Sequence, residues 1–550
     1  MDRFTRIVPL LKRNDPIINS LNMCSIALTD SMTDDLIDAL NSNTFISKIV
    51  LHSNNLSEQS CNKIFDLLYT NPKLEHLEIV NNNVNNNSLS HLSEILKKLP
   101  QTRTLINLSL RSNNFTKKGA KYLGDALAEN VPVIWLDLRY NPLIGDKGVE
   151  ILALSLVNNT NLSGLDVIKC GCNEFATEAF SDSLIDNHTL KTLLLQDELN
   201  INAIHSLSRL FSDVQCSLQA LYLWHCSLNA QLLEILCSHI RGNKSLQTLA
   251  LSYNKIDDNG GIFLADMILR NKSLTKLHLG ANMFSPTTAG YFGVALAKNN
   301  TLQFLDLSRN FLRSFGVWPI AISLMNNKVL RTIDLRYNRI DASGAEMICE
   351  LLSENTSITV MRLSGNNFDD NAIEMIANRL RVNTTLKDIE LNCVQMGSGG
   401  FVSLCKALTA NNTLEKVSIS GNRFTSKSFA SFAELLKKNT ALQVMEMSDC
   451  GVDDEGCVYI SEGIMSNSTL IELDLSKNNI LARGAQLILD AVQGNYSLMK
   501  LDINDNPFID PEGTLNVPNQ IADFLERNNY YQHNILMKDM SALANDLAFI

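Results

Sequence analysis

A repeat of 28 residues runs through this sequence and restricts its possible folds more than any other feature. Residues 330–340 read LRTIDLRYNRI, with apolar side chains at offsets 0, 3, 5 and 10 and Asn338 at offset 8, counted from zero at the first leucine. Every step between equivalent first positions from Leu162 to Leu498 is 28 residues. Earlier copies begin at Ile18, Ile46, Leu74, Leu105 and Val133, which makes 18 repeats. Such a chain stacks one unit many times instead of forming several unrelated domains.

Each repeat carries a strand pattern followed by a helix pattern. Offsets 3 and 5 are apolar whereas offsets 2, 4 and 6 vary, which is the two-residue period of a strand. Ala345, Ile348 and Leu352 then recur at three- or four-residue spacing, as on one face of a helix. Helices need about 10 Å of lateral room and parallel strands about 4.8 Å, so the stack must curve. The sequence predicts an α/β horseshoe solenoid with a parallel concave sheet and outer helices.

Asparagine recurs at two offsets in the repeat. At offset 8 its side chain can bond to turn backbone groups that would otherwise be buried unpaired, so we expect an internal ladder of asparagines. At offset 25 we expect asparagines such as Asn355 to end helices in the left-handed conformation. Cys170, Cys226 and Cys450 replace the offset-8 asparagine. We therefore interpret the 12 cysteines as reduced thiols of a cytoplasmic protein rather than as disulfide partners.

The repeats divide the sequence into three predicted regions. Residues 1–17 form an N-terminal helical cap, residues 18–515 the solenoid, and residues 516–550 a C-terminal helical cap or a docking segment for a partner. The apolar face of the first cap is expected to comprise Phe4, Ile7, Val8 and Leu11. The last region is expected to hold a repeat helix with Ile521, Phe524 and Leu525, and a second stripe of Leu536, Met540, Leu543 and Leu547.

The consensus LxxLxLxxNxLxxxGxxxLxxxLxxN resembles the ribonuclease-inhibitor-like class of leucine-rich repeats. That class includes Ran GTPase-activating proteins and the repeat domains of nucleotide-binding innate immune receptors, and the resemblance covers residues 18–515. It implies the horseshoe fold and protein binding, but the scaffold serves many partners. The repeats do not alternate between 28 and 29 residues, and cysteine replaces asparagine only occasionally. Inhibition of a ribonuclease is therefore not expected.

The sequence lacks the common signatures of catalysis. It contains no P-loop, GxSxG, HExxH or paired CxxC motif. We therefore expect no enzyme activity, no cofactor and no metal site. The net charge of −11 argues against nucleic-acid binding, and the absence of about twenty consecutive apolar residues argues against a membrane span.

Three functional interpretations remain open. The main one is a protein-binding scaffold. Regulation of a small GTPase, as by the resembling activators, is an alternative, for which Arg111 and Arg139 lie on early strands. A structural subunit of a cytoskeletal or ciliary assembly, or a bacterial effector in the host cytosol, is another.

Offsets 2, 4 and 6 are expected to face the concave side, where a partner binds. The first predicted group lies in the repeats from Val133 to Leu246 and comprises Trp135, Asp137, Arg139, Ile168, Leu194, Tyr222, Trp224 and the flanking Tyr253. The second group is mostly acidic and comprises Asp306, Asp334, Arg336, Arg362, Glu390, Glu446 and Asp474. We predict that a protein partner places an apolar anchor against the first group and basic residues against the second. Self-association is left open.

Overall fold

The computed structural model describes residues 2–16, 18–212, 216–507 and 520–528. The chain forms two compact units, Met1–Asn282 and Met283–Ile550. In each unit a strand alternates with a helix, as the two periodicities predict.

The described part of the first unit contains ten strands and ten α-helices. The strands are β1 (Ser20–Cys24), β2 (Lys48–His52), β3 (His76–Val80), β4 (Leu105–Ser109), β5 (Val133–Asp137), β6 (Gly164–Asp166), β7 (Thr192–Leu195), β8 (Ala220–Leu223), β9 (Thr248–Ala250) and β10 (Lys276–His278). The helices are α1 (Asp2–Lys12), α2 (Asp30–Asn41), α3 (Glu58–Thr70), α4 (Asn86–Lys98), α5 (Lys117–Ala128), α6 (Gly145–Leu154), α7 (Glu174–Asp186), α8 (Ile201–Leu210), α9 (Ala230–Ile240) and α10 (Asp258–Arg270). A short 3₁₀-helix, Pro142–Ile144, precedes α6.

The described part of the second unit contains eight further strand and helix pairs. The strands are β11 (Phe304–Asp306), β12 (Thr332–Asp334), β13 (Val360–Arg362), β14 (Asp388–Glu390), β15 (Lys416–Ser418), β16 (Val444–Glu446), β17 (Glu472–Asp474) and β18 (Lys500–Asp502). The helices are α11 (Pro286–Leu296), α12 (Arg313–Met325), α13 (Ala342–Glu354), α14 (Asp370–Leu380), α15 (Ser398–Ala410), α16 (Phe429–Lys438), α17 (Asp454–Ser466) and α18 (Ala482–Gly494). Residues 426–428 form a 3₁₀-helix and residues 520–528 a last helical segment.

Strands that follow one another in sequence are parallel neighbours within each unit. Pairing joins residues at the same offset, as in Asp306 with Asp334 and Asp334 with Arg362. Equal offsets therefore form rows that cross the strands. The side chains at offsets 3 and 5, such as Ile333 and Leu335, are buried. The predicted α/β solenoid architecture, with a parallel sheet and one helix per repeat, is confirmed for each unit.

The offset-8 asparagines form the predicted internal ladder. The Asn338 side chain is fully buried, and its Nδ2 donates to the carbonyls of Leu307 at 2.9 Å and Leu335 at 3.1 Å. Its Oδ1 accepts from the backbone N–H of Leu312 at 3.3 Å. One side chain thus bonds two successive turns, which stabilises the stacking of repeats.

The offset-25 asparagines form a second ladder, by a mechanism the sequence analysis did not predict. Asn355 is extended, with φ −79° and ψ 135°, so the predicted left-handed conformation is wrong for this residue, whereas Asn130 at the same offset is left-handed with φ 60°. Its Nδ2 donates to the carbonyls of Leu324 at 2.7 Å and Asn327 at 3.0 Å. Its Oδ1 accepts from the N–H groups of Ser357 and Ile358, both at 2.8 Å. The side chain, and not an unusual backbone conformation, satisfies the end of the helix.

The described residues at the two ends include part of the predicted caps. On α1, Phe4, Val8 and Leu11 are buried and Ile7 is half-buried. At the other end Ile521 is buried. The predicted stripe of Leu536, Met540, Leu543 and Leu547 lies outside the described residues.

Ten of the 12 cysteines are buried, Cys24 and Cys393 are exposed, and no disulfide joins any of them. Burial raises the pKa of the Cys61 thiol to about 12, which keeps that side chain protonated and unreactive. Among the helices that the structure describes, none combines the length and the apolar character that a membrane span requires.

Candidate binding surface on the open sheet face

Four aromatic side chains gather at β8 and β9, on the sheet face that carries offsets 2, 4 and 6 and is called the open face here. Tyr222 and Trp224 meet edge to face with ring centroids 5.4 Å apart. The His225 ring stacks on Tyr253 at 4.6 Å. His225 and Tyr253 are exposed, whereas Tyr222 and Trp224 are half-buried. We call these four residues the aromatic cluster, which offers rigid apolar area together with polar ring atoms.

His225 belongs to this cluster although the sequence analysis did not select it. His225 and Tyr253 stand at offset 7 and have positive φ values of 51° and 63°. Tyr140 and Tyr337, at the same offset, are also left-handed and exposed. Residues other than glycine are uncommon in this conformation, and among them asparagine, aspartate and histidine are enriched. A comparison of offset 7 between repeats would have found His225, because other repeats place Asn81, Ser112 or Gly365 there.

Trp135 lies on β5 and leans over the neighbouring strand β6. A Cβ atom built on Gly164 would lie only 2.0 Å from Cε3 of the Trp135 indole. The missing side chain of Gly164 therefore makes the room that the indole occupies. Trp135 is half-buried as a result.

Ile168 and Leu194 are buried, whereas the sequence predicts them to be part of an exposed patch. Ile168 is 2% exposed and Leu194 is 8% exposed. Neighbouring parallel strands lie only about 4.8 Å apart, so large side chains at equal offsets cover one another. The register places Leu194 directly beside Tyr222. Both residues are covered by neighbouring side chains and are not accessible anchors for a partner.

Beside Trp135, one arginine holds two buried carboxylates. Arg139 Nη2 lies 2.8 Å from Asp137 Oδ2, and Arg139 Nε lies 3.0 Å from Asp166 Oδ2. Asp166 was not among the predicted residues, although offset 4 places it next to Asp137 in the same row. Burial raises the pKa of Asp166 to about 7, an effect that Arg139 opposes and Asp137 reinforces. One cation between two carboxylates favours retention of a proton on Asp166.

The raised pKa of Asp166 predicts a pH-dependent stability. Asp166 keeps its proton up to about pH 7 in the folded chain but loses it near pH 4 when unfolded. The folded state therefore binds more protons between these values, and its free energy of unfolding should fall as the pH rises from about 4 to 7. Asp166→Asn should remove this part of the slope, as measured by urea unfolding at pH 5 and pH 7. Asp474→Asn serves as the control, and an identical slope in Asp166→Asn and the wild type would contradict the assignment.

The acidic row of the second unit is largely neutralised by the chain itself. Asp334 is 1% exposed, and Arg336 Nη2 lies 2.6 Å from its Oδ2. Arg362 Nη1 approaches the same oxygen at 3.8 Å, while Glu390 lies 3.5 Å from Arg336 and accepts from Ser364 Oγ at 2.7 Å. The predicted need for a basic partner at Asp334 and Glu390 is therefore not supported, because Arg336 and Arg362 already supply cations there.

The remaining predicted acids lie at separate places along the second unit. Asp306 accepts from the N–H of Ser308 at 2.8 Å, and burial raises its pKa, reinforced by Asp334. Glu446 pairs with Lys416, and Asp474 accepts from the N–H of Ser476 at 2.8 Å. A small cavity of about 80 Å³ lies at β16–β18, and its charged lining residues are Glu446, Glu472, Asp474, Lys500 and Asp502. Across the described residues, no group of three or more His, Cys, Asp or Glu side chains has the arrangement of a metal site.

The repeats are recognised by comparison with known proteins. A family model described as "Leucine Rich repeat" matches residues 136–153, 242–265, 326–349, 354–377, 438–461 and 466–489. Ribonuclease inhibitor from Sus scrofa is 32% identical over 147 residues, which are 26% of this chain and 32% of that protein. The chain carries ribonuclease-inhibitor-like leucine-rich repeats. Repeats of this class generally mediate contacts between proteins and are generally not enzymatic.

Other relatives share the leucine-rich repeats over part of their length. The NACHT, LRR and PYD domains-containing protein 14 of Homo sapiens is 33% identical over 165 residues, which are 30% of this chain and 15% of that protein. The matched segments thus span about a third or less of these relatives. Among solved structures, the yeast Rad7 and Elc1 complex is similar with a TM-score of 0.43 and 13% identity, covering 78% of this chain and 90% of that one.

Proposed function

We propose that this chain is a non-catalytic scaffold that binds a protein partner on the open sheet face of its first unit. The observation that carries the proposal is the aromatic cluster. Tyr253 is 48% exposed although it is aromatic and stacked on an exposed histidine. Neighbouring pairs of partly exposed aromatic side chains are typical of interfaces, whereas isolated apolar residues on a surface are ordinary.

The shape and chemistry of the surface indicate the kind of partner. The five strands β5–β9 span about 20 Å at the usual strand spacing, which suits a protein segment. Leu194 is buried beside Tyr222 of the cluster, while Arg139 links Asp137 on β5 to Asp166 on β6 on the same face. The partner is therefore expected to insert an apolar side chain near Trp224 and to leave the Asp137–Arg139–Asp166 group intact. A basic segment is expected only at the acid-lined cavity of β16–β18 in the second unit.

The aromatic cluster can be tested by double truncation. Trp224→Ala with Tyr253→Ala should abolish the capture of specific proteins from native cells, because the apolar anchor site is lost. Tyr69→Ala is the matched control, since Tyr69 is an exposed aromatic on helix α3 away from the sheet. Capture is measured by affinity purification with quantitative mass spectrometry. Equal recovery of the same proteins by the double variant and by Tyr69→Ala would remove the cluster as the interface.

A further inference from the structure

Helix α12 of the second unit carries an exposed apolar stripe. Phe315 is 82% exposed, Trp318 47% and Ile322 53%. They stand at positions i, i+3 and i+7, which lie on one face of a helix. On the helices that follow, the residues at the offset of Trp318 and Ile322 include Glu346, Glu350, Glu374, Glu434, Glu462 and Asp490. Four of the six helices that follow carry an acid at the offset of Ile322, whereas only two do so at the offset of Trp318, so it is Ile322 that replaces the more usual solvent-facing acid.

The neighbouring helix α11 extends the apolar surface. Val294 is exposed and occupies the offset of Ile322, and Tyr291 is exposed one turn earlier. Between residue 286 and residue 296 the helix has no charged residue, and α12 has none after Arg313. A Cβ built on Gly293 would lie 2.7 Å from the Pro319 carbonyl oxygen, so the two helices approach closely here.

One position of this apolar surface carries no side chain. Gly290 occupies on α11 the offset that Trp318 occupies on α12. A Cβ built on Gly290 would meet nothing within 4 Å, so the surface of α11 is open at this position. A ridge of another helix can enter the shallow groove between two parallel helices.

An acidic row flanks the stripe on its other side. Glu346, Glu350 and Glu354 are all exposed on α13, at four-residue spacing. Glu346 and Glu350 stand one repeat after Trp318 and Ile322. Among the described residues, only Glu350 of these three has an ion pair, with Arg379 at 3.8 Å, and that exposed pair contributes little. Like charges four residues apart destabilise a helix slightly, and cations on a partner would relieve the repulsion.

We propose that α11, α12 and α13 form a second docking surface, which binds an amphipathic helix of a protein partner with a basic flank. The apolar face of that helix lies against Phe315, Trp318 and Ile322, and its lysines or arginines face Glu346 and Glu354. The acidic row selects a basic protein helix over an anionic membrane surface. This surface lies on the helix side of the second unit and is independent of the aromatic cluster.

The test uses the full chain and synthetic peptides of about 18 residues, a length that forms several helical turns. One peptide places leucines on one helix face and lysines on the other, a second replaces lysine by glutamate, and a third scrambles the leucine and lysine order. Binding is measured by fluorescence anisotropy. The leucine and lysine helix should bind about tenfold or more tightly than the other two peptides.

Neutral variants separate the apolar and acidic contributions. Phe315→Ser with Trp318→Gln and Ile322→Gln should weaken the basic peptide about tenfold or more, whereas Met465→Gln, an exposed methionine on α17, should not. Glu346→Gln with Glu354→Gln should also weaken binding, and added salt should reduce that difference. The Trp224→Ala variant should bind the peptide normally, which separates this proposal from the proposed function. Circular dichroism checks that each variant is folded.

Several results would overturn the proposal. Equal peptide affinity of the triple variant and the wild type would remove the stripe as the site. Equal binding of all three peptides would remove the acidic selection. Stripe-dependent dimerisation of the wild type in light scattering would instead identify a second copy as the occupant, and stripe-dependent binding to phosphatidylcholine vesicles would identify a lipid surface.

Discussion

Replacing Arg336 by methionine is expected to lower the free energy of unfolding by about 3 kcal/mol, because it removes one partner of a buried ion pair. Asp334 is 1% exposed, and Arg336 donates to both of its carboxylate oxygens at 2.6 to 3.0 Å. Without this guanidinium, Arg362 at 3.8 Å is the nearest remaining cation among the ion pairs of Asp334. The carboxylate would stay desolvated and poorly compensated. The expected destabilisation lies at the lower end of the range for breaking buried ion pairs, because the Arg336 side chain itself is one-third exposed.

Arg362→Met is the matched control for this prediction. The Arg362 side chain is 35% exposed and that of Arg336 is 33% exposed, so the apolar area added is similar. The closest carboxylate oxygens to Arg362 are 3.8 and 3.9 Å away, and its loss should cost less than about 1 kcal/mol. Repeat proteins do not always unfold in one step, so urea unfolding should be combined with hydrogen exchange at β12 and β13. Equal destabilisation by the two variants would contradict the special role of Arg336.

The two arginines also explain why the acidic row was misinterpreted from sequence. Asp306, Asp334 and Glu390 recur at offset 4, and a linear pattern shows them as a ladder of like charge. Arg336 stands two residues after Asp334, but its short contact depends on rotamers that a sequence pattern does not contain. Recurrence at one offset identifies a row on the sheet. It does not identify which neighbouring row neutralises it.

The period itself was predictable because it reflects backbone geometry. Offsets 3 and 5 must be apolar to fill the space between sheet and helix, so Ile333 and Leu335 are identified as core without a structure. Exposure on the open face is different, since it depends on the sizes of neighbouring side chains. Gly164 lets Trp135 lean across its strand, and Leu194 lies beside Tyr222. These contacts join side chains of different repeats, so the sequence of a single repeat does not reveal them.

The α12 stripe can be recognised from the sequence when helix residues at equal offsets are compared. Trp318 is the third tryptophan of the chain, and the other two lie on the open sheet face. A comparison of offsets 13, 16 and 20 between repeats separates α12 from its neighbours at once. The regular spacing of the repeat identifies the fold. Unusual residue types at given offsets, on the sheet or on the helices, identify the candidate surfaces.

Replacing Asn338 by alanine is expected to cost about 3 kcal/mol, because it leaves the buried Leu312 N–H without its side-chain partner and removes one of two asparagine donors from each of the Leu307 and Leu335 carbonyls. The lost bonds join the Leu307 and Leu335 carbonyls and the Leu312 N–H. Alanine offers no donor or acceptor, and the site is closed to water because Asn338 is fully buried. Two successive turns are therefore weakened together. Thermal unfolding and hydrogen exchange around β11 and β12 measure the effect.

Cys450→Ala is the natural control, since Cys450 occupies the same offset as Asn338. Its Sγ makes only weak bonds, to the Ile419 carbonyl at 3.4 Å and the Ser448 carbonyl at 3.6 Å. The N–H of Phe424 there donates to the backbone carbonyl of Cys450 at 3.0 Å, a bond that survives truncation of the side chain. The cost should therefore stay near 1 kcal/mol, the value of one ordinary hydrogen bond. If Asn338→Ala proved no more destabilising than Cys450→Ala, the side-chain ladder would not be what joins the turns, and backbone bonds between repeats would have to carry that role.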